Sequence, residues 1–143
     1  MFSRLILLFL WCATNYSWAA DEIALIDNNH SDFDVSESAY YIIDPTGQLS
    51  IDSIASEAYA SQFLPVNDRF LHLGLVKGNI WLRTDVAIRI TRNEPVLLEV
   101  TAPRLEYLNI YIPGLYGNQA QAQLGEARPY SSRLIEHPNY LFP

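Results

Sequence analysis

The sequence predicts an all-β fold: an antiparallel β-sandwich or jelly roll with one short helix. Three observations predict it. From Leu71 onward, segment after segment alternates apolar and polar residues with period two, the spacing of a half-buried antiparallel strand. Turn-forming Pro, Gly, Asn and Asp punctuate the chain at short intervals. Helical periodicity is convincing in one stretch alone, just after Ser50.

Composition sets the frame for these elements. The chain has 143 residues, of which 50% are apolar, 17% charged and 13% aromatic. Enough apolar surface exists to bury a core, so a disordered chain is excluded, and the length fits one domain. The formal net charge of −7 opposes binding to a phosphate backbone, so nucleic acid is not an expected partner.

The elements follow in order. Met1-Phe2-Ser3-Arg4 is a short basic lead, Leu5 to Ala13 is an apolar run, and Ser17-Trp18-Ala19 places small residues before a cleavage point at Ala19–Ala20. This is the layout of a secretory signal peptide, residues 1–19, and the run is too short to span a bilayer comfortably. Cleavage removes Arg4 and the single cysteine, Cys12, and takes the net charge to −8. The exported chain then has no disulfide and rests on its core. Residues 20–36 read as an acidic leader. Within it Ala24 to Asp34 reads as leader or loop, and its faint likeness to a calcium loop fails at Asp32 and Ser38, where glycine and glutamate are required.

Residues 37–143 carry the predicted sandwich. Ser38 to Ile43 is aromatic and β-branched, hence a strand. Asp44-Pro45-Thr46-Gly47 has the chemistry of a tight turn. Ser50 caps one helix from Ile51 to Ser61. Leu71 to Val76 is a strand interrupted at Gly74, and Lys77-Gly78-Asn79 is a turn. In the strand Ile80 to Ile90, residues Ile80, Leu82, Val86, Ile88 and Ile90 form the oily face, while Trp81, Arg83, Asp85, Ala87 and Arg89 face outward. Val96 to Val100 is a strand that Pro103 breaks. In Leu105 to Ile112, residues Leu108, Ile110 and Ile112 share one face and Tyr107, Asn109 and Tyr111 the other. Turns follow at Pro113-Gly114 and Tyr116-Gly117-Asn118, and Gln119 to Leu124 is the returning strand.

Charge is unevenly placed. Residues 20–68 hold ten acids and no base, whereas residues 69–143 hold six acids and eight bases. The acidic segment is either a solvated lead-in or a cover folded over the Arg-bearing region.

Catalytic chemistry is mostly absent. His30, His72 and His137 show no ligand-like spacing, and no HExxH, GxSxG, P-loop or GxGxxG occurs. With no mature cysteine, thiol catalysis and thiolate metal sites are excluded. No cofactor and no metal are expected. Binding remains. A flat aromatic ring covers the apolar face of a sugar, while Arg, Asn, Asp or Glu fix its hydroxyls. The candidate ligand-binding residues are Trp81, Arg83, Arg104, Tyr107, Asn109, Tyr111 and Arg133. A carboxylate on the ligand would suit Arg83, Arg104, Arg128 or Arg133, because a guanidinium forks onto two oxygens. Each has a structural reading beside it: Trp81 and the tyrosines as packing residues, and Arg83 as a partner of a strand neighbour such as Glu99 or Glu106.

The order Tyr41-Ile42-Ile43-Asp44-Pro45-Thr46-Gly47-Gln48-Leu49, Leu73-Gly74, Gly78, Trp81-Leu82-Arg83, Leu98-Glu99-Val100, Pro103, Leu108, Tyr111, Gly125, Arg133 and Phe142-Pro143 resembles a bacterial sensor family. It is similar to the second type of extracellular domain of seven-transmembrane receptors with diverse intracellular signalling modules (7TMR-DISM). The resemblance spans roughly residues 37–143. It implies a periplasmic β-sandwich resembling carbohydrate-binding modules, set before a membrane bundle that feeds a histidine kinase or a diguanylate cyclase. In the family pattern, Phe-Pro is followed by further strands, so the resemblance also implies a domain incomplete at its C-terminus, a fragment. The expected partners are a small-molecule or carbohydrate ligand and the membrane bundle of the parent protein. The rival readings are a free periplasmic carbohydrate-binding module and a periplasmic protein–protein interaction domain.

Overall fold

The computed structural model describes residues 23–29, 32–67, 71–91, 93, 95–102, 104–112 and 119–143. The signal-peptide reading, His30, Pro103 and the turns at 113–118 lie outside them. The described residues are all-β in class: short strands in several small sheets, mostly antiparallel and consistent with a sandwich, with two short α-helical turns and one 3-10 turn, Tyr130–Ser132.

The organising sheet has the order β3-β2-β4, from β2 (Ala39–Asp44), β3 (Leu64–Pro65) and β4 (Asn79–Thr84). Six residue pairs join β2 to β4, running from Ala39 opposite Thr84 to Asp44 opposite Asn79. Aromatic and β-branched residues at 40–43 suit this pleated surface. The two turns read from the sequence meet at one end of the ladder. There Asp44 is buried, and its carboxylate accepts from the Thr46 hydroxyl at 2.7 Å and from the amides of Thr46, Gly47 and Leu49 at 2.9–3.1 Å. Gly78 closes the other turn with φ +89°, and a Cβ there would sit 2.0 Å from the Asp44 carbonyl oxygen. No larger residue fits that backbone approach.

Between β2 and β3 the helix splits. Ser50 caps α1 (Ile51–Ile54) by accepting from the Ser53 amide at 3.3 Å. Ser56 then turns extended, at φ −77° and ψ 156°, before α2 (Glu57–Ala60). The Ser56 hydroxyl donates to the Ser53 carbonyl at 2.6 Å. A serine hydroxyl that binds a nearby carbonyl competes with the helical ladder, and so the single helix expected over 51–61 becomes two turns.

Three further expectations are corrected. Residues 71–76 form no strand: Gly74 has φ +64°, which breaks extended backbone, and Leu75 is fully exposed. Ala24–Asp27, expected as leader or loop, is a strand, β1. It runs parallel to β5 (Val86–Arg89), with Leu25 opposite Ala87 and Asp27 opposite Arg89. Asn28 fastens the end of this pair, donating to the Thr91 hydroxyl at 2.8 Å and accepting from the Thr91 amide at 3.1 Å. Part of the acidic segment thus lies on the Arg-bearing region. The long strand expected over 80–90 is accordingly two strands, split at Asp85, because β4 pairs with β2 and β5 pairs with β1.

Over residues 80–88 the split strand also shows its faces reversed, while at its end Arg89 is exposed and Ile90 half-buried, as expected. Ile80, Leu82, Val86 and Ile88 are exposed, Leu82 at 62% and Ile88 at 59%, while Trp81, Arg83, Asp85 and Ala87 are half-buried. Apolar period two marks a two-sided element without saying which side is covered. Here the indole decides, because it has an aromatic partner on its side (Tyr111, below) and the largest area to hide.

The C-terminal part packs more tightly. β6 (Leu98–Val100) pairs with β9 (Tyr140–Phe142), and β7 (Leu108–Ile110) pairs with β8 (Ala122–Leu124), both antiparallel. Ala122, Leu124 and Tyr140 form the buried cluster, with Val100, Leu108, Ile110 and Phe142 against it. The Tyr140 hydroxyl donates to the Leu105 carbonyl at 3.2 Å, which satisfies the one polar atom of its ring.

Candidate ligand-binding surface

Leu108 and Ile110 point into the core, so strand geometry turns Asn109 outward between them. Its cross-strand partner is Gln123, and both are exposed. Two residues before Asn109, on the same side, Tyr107 is 60% exposed. The guanidinium carbon of Arg128 lies over the Tyr107 ring, 5.8 Å from its centroid. That placement is built by backbone. The amides of Glu126 and Ala127 donate to the carbonyls of Leu105 and Glu106 at 2.8 and 3.1 Å, and Arg128 closes the turn onto the Gly125 carbonyl at 3.1 Å. Gly125 has φ +128°, and a Cβ there would meet the Glu106 carbonyl oxygen at 2.3 Å. The result is an open face bearing one ring, two amides and one guanidinium.

The other candidate residues fall in different settings. Tyr111 continues the stripe of Tyr107 and Asn109 but is half-buried, its ring centroid 5.7 Å from that of Trp81 at a tilt of 36°. The structure therefore brings Trp81 and Tyr111 together, at a seam between the β4 sheet and the β7 sheet. The Trp81 indole nitrogen is buried there with no hydrogen-bond partner among the described residues. Arg83 pairs with Asp85 at 2.5 Å. Glu99 accepts from Asn139 at 2.6 Å. Arg104 is exposed in the turn before β7. Arg133 is built into the fold: its guanidinium carbon lies 4.6 Å from the Tyr130 ring centroid and 4.8 Å from that of Tyr140, and it donates to the carbonyls of His137 and Pro138.

One residue of the open face, Gln123, is not singled out by the sequence, and Arg128 is named there only as one of four arginines that would suit a carboxylate, without its place beside Tyr107. Gln123 is legible in retrospect, since Gln121 and Gln123 alternate with Ala122 and Leu124 in the returning strand. Arg128 is placed beside Tyr107 by the Gly125 turn, which no periodicity announces.

Hollows exist elsewhere. One of about 230 Å³ lies between β1 and the segment before β2, against Leu25, Phe33, Val35 and Glu37. Another of about 110 Å³ lies among Ser36, Ala39, Val66, Leu71 and Leu82. Both are smaller than the ~300 Å³ at which small-molecule sites ordinarily begin. Among the described residues no group of three or more His, Cys, Asp or Glu is placed to hold a metal ion. None of their helices is long and apolar enough to cross a membrane.

The fold and this face define a class first: a small all-β domain with an open polar-aromatic sheet surface. The model of the family 7TMR-DISM extracellular 2 matches residues 36–143, and the chain belongs to that family. It is a family of extracellular sensor domains of membrane receptors, not a catalytic one. No match was found among curated proteins or among solved structures.

Proposed function

We propose that this chain is the ligand-sensing part of a bacterial membrane signalling protein, and that it binds a small polyhydroxylated, carbohydrate-like molecule in the periplasm. Residues 1–19 serve as the export signal and residues 37–143 as the recognition domain, with β1 of the acidic segment 20–36 added to it through β5. The observation that carries the reading is the exposed Tyr107 ring beside the outward amide of Asn109. A ring left in water covers the apolar face of a sugar, and a planar amide donates and accepts at neighbouring hydroxyls. Tyr111, leaning on Trp81, closes one end of the stripe, and Arg104 stands at the other. The face is open, so the ligand lies along it.

In the parent protein, ligand binding biases two arrangements of the domain against a membrane bundle, through a difference in affinity for the two. A histidine kinase or a diguanylate cyclase then reads the bias. The chain itself performs no chemistry on this reading. The test is a glycan array on the purified exported chain, followed by Tyr107→Ala and Asn109→Ala. Both positions are exposed, so both variants keep the thermal transition of the parent chain. Binding weakened tenfold or more in Tyr107→Ala supports the platform, and unchanged binding in both variants removes it.

One observation favours a second reading, a periplasmic protein–protein contact. Ile43, Leu64, Ile80 and Leu82 are exposed on adjacent strands of the β3-β2-β4 sheet, and exposed apolar clusters mark contact surfaces. Pull-down that fails with Leu82→Glu and persists with Tyr107→Ala would select it.

A further inference from the structure

We infer that the ligand of the β7–β8 face carries a carboxylate, that Arg128 is the residue that reads it, and that Gln123 shares its hydroxyl contacts with Asn109. This rests on the platform reading above and adds the charge and the two residues. The argument begins with what Arg128 does in the structure. Its guanidinium lies over the face of the Tyr107 ring, and no carboxylate among the described residues pairs with it. None of its N–H donors is engaged in a hydrogen bond among the described residues. Those donors lie in the plane of the group, in a fork that matches two carboxylate oxygens.

The backbone that carries Arg128 is set before any ligand arrives. The Arg128 turn is fixed by two backbone hydrogen bonds to residues 105 and 106 and by a glycine that admits no side chain. Less backbone freedom is then lost on binding. Gln123 stands directly opposite Asn109, so the two amides present donors and acceptors side by side, about 5 Å apart at Cβ. A ligand that places a hydroxylated ring on Tyr107 brings its substituents over the amides on one side and over the guanidinium on the other. A sugar acid has this distribution of groups, and a neutral sugar leaves the fork unfilled.

The experiment uses the full exported chain and a panel of uronate-containing oligosaccharides, each measured beside its neutral methyl ester by titration calorimetry. The expected result is tighter binding of an acid than of its ester. Arg128→Gln then weakens the acid about tenfold and leaves the ester unchanged, while Tyr107→Ala and Gln123→Ala weaken both. Arg128 is exposed, so an unchanged thermal transition certifies the fold of its variant. Should Arg128→Gln weaken acid and ester alike, or neither, while Tyr107→Ala still weakens both, the carboxylate inference is overturned and the platform stands. Wild-type chain that binds no saccharide of either kind overturns both together.

Discussion

The carboxylate of Asp44 accepts four hydrogen bonds in the turn that follows β2. The Thr46 hydroxyl first, then the amides of Leu49, Gly47 and Thr46, hold its pKa below the ordinary 3.8 against the opposing effect of burial. A depressed folded pKa gives stability that is present above the unfolded value and is lost as pH falls through the folded one. In Asp44→Asn the amide oxygen keeps an acceptor but no proton is taken up, so the acid limb of a stability–pH curve below about pH 4 is shallower than in the parent chain. Urea midpoints measured from pH 2 to 7 check this. At Gly78 the constraint is steric. Gly78→Ala forces a Cβ against the Asp44 carbonyl at a positive φ, and destabilises by at least ~2 kcal/mol in denaturant unfolding. The sequence shows Pro45 and Gly47 as turn formers, but it does not show that Asp44 is the turn's organiser. That role depends on four donors, which converge only once residues 46–49 have closed.

The elements show where pattern was sufficient and where it was not. The turns at 44–47 and 77–79, the cap at Ser50 and the β7–β8 pairing were readable, because each rests on local chemistry or on two matching alternations. The faces of β4 were not. Trp81 and Leu82 are adjacent and both are large, and the side that is covered depends on Tyr111, thirty residues on. The consequence is measurable: Trp81→Ala costs about 2–3 kcal/mol, whereas Leu82→Ala, at a position 62% exposed, stays within ~0.5 kcal/mol. Paired thermal melts decide it. The β1–β5 pair was equally hidden, because four residues carry no useful period and their partner lies some sixty residues away. It is held by its own ladder and by the Asn28–Thr91 exchange. Asn28→Ala therefore speeds amide hydrogen exchange at residues 24–27 and leaves the global transition nearly unchanged.

At the scale of the whole molecule, burial is uneven. The cluster of Ala122, Leu124 and Tyr140 gathers four more apolar residues around it, while the β3-β2-β4 sheet leaves a row of large apolar side chains in water. Exposed apolar strands favour association between molecules. Leu82→Thr therefore lowers self-association in sedimentation at raised concentration without moving the thermal midpoint by more than a few degrees. The family and the all-β class were legible because both are spread over a hundred residues of order and spacing. The proposed face was legible only in half. Tyr107 and Asn109 alternate along one segment, but Gln123 and Arg128 reach them through a pairing and a glycine turn that the fold alone supplies.

The contact between Trp81 and Tyr111 has a practical side. The chain has three tryptophans, and the other two, Trp11 and Trp18, precede Ala19. A chain processed at that position carries a single indole chromophore, set where two sheets touch. Its emission colour and its energy transfer from the neighbouring phenol then report any sliding of one layer past the other, with no label attached.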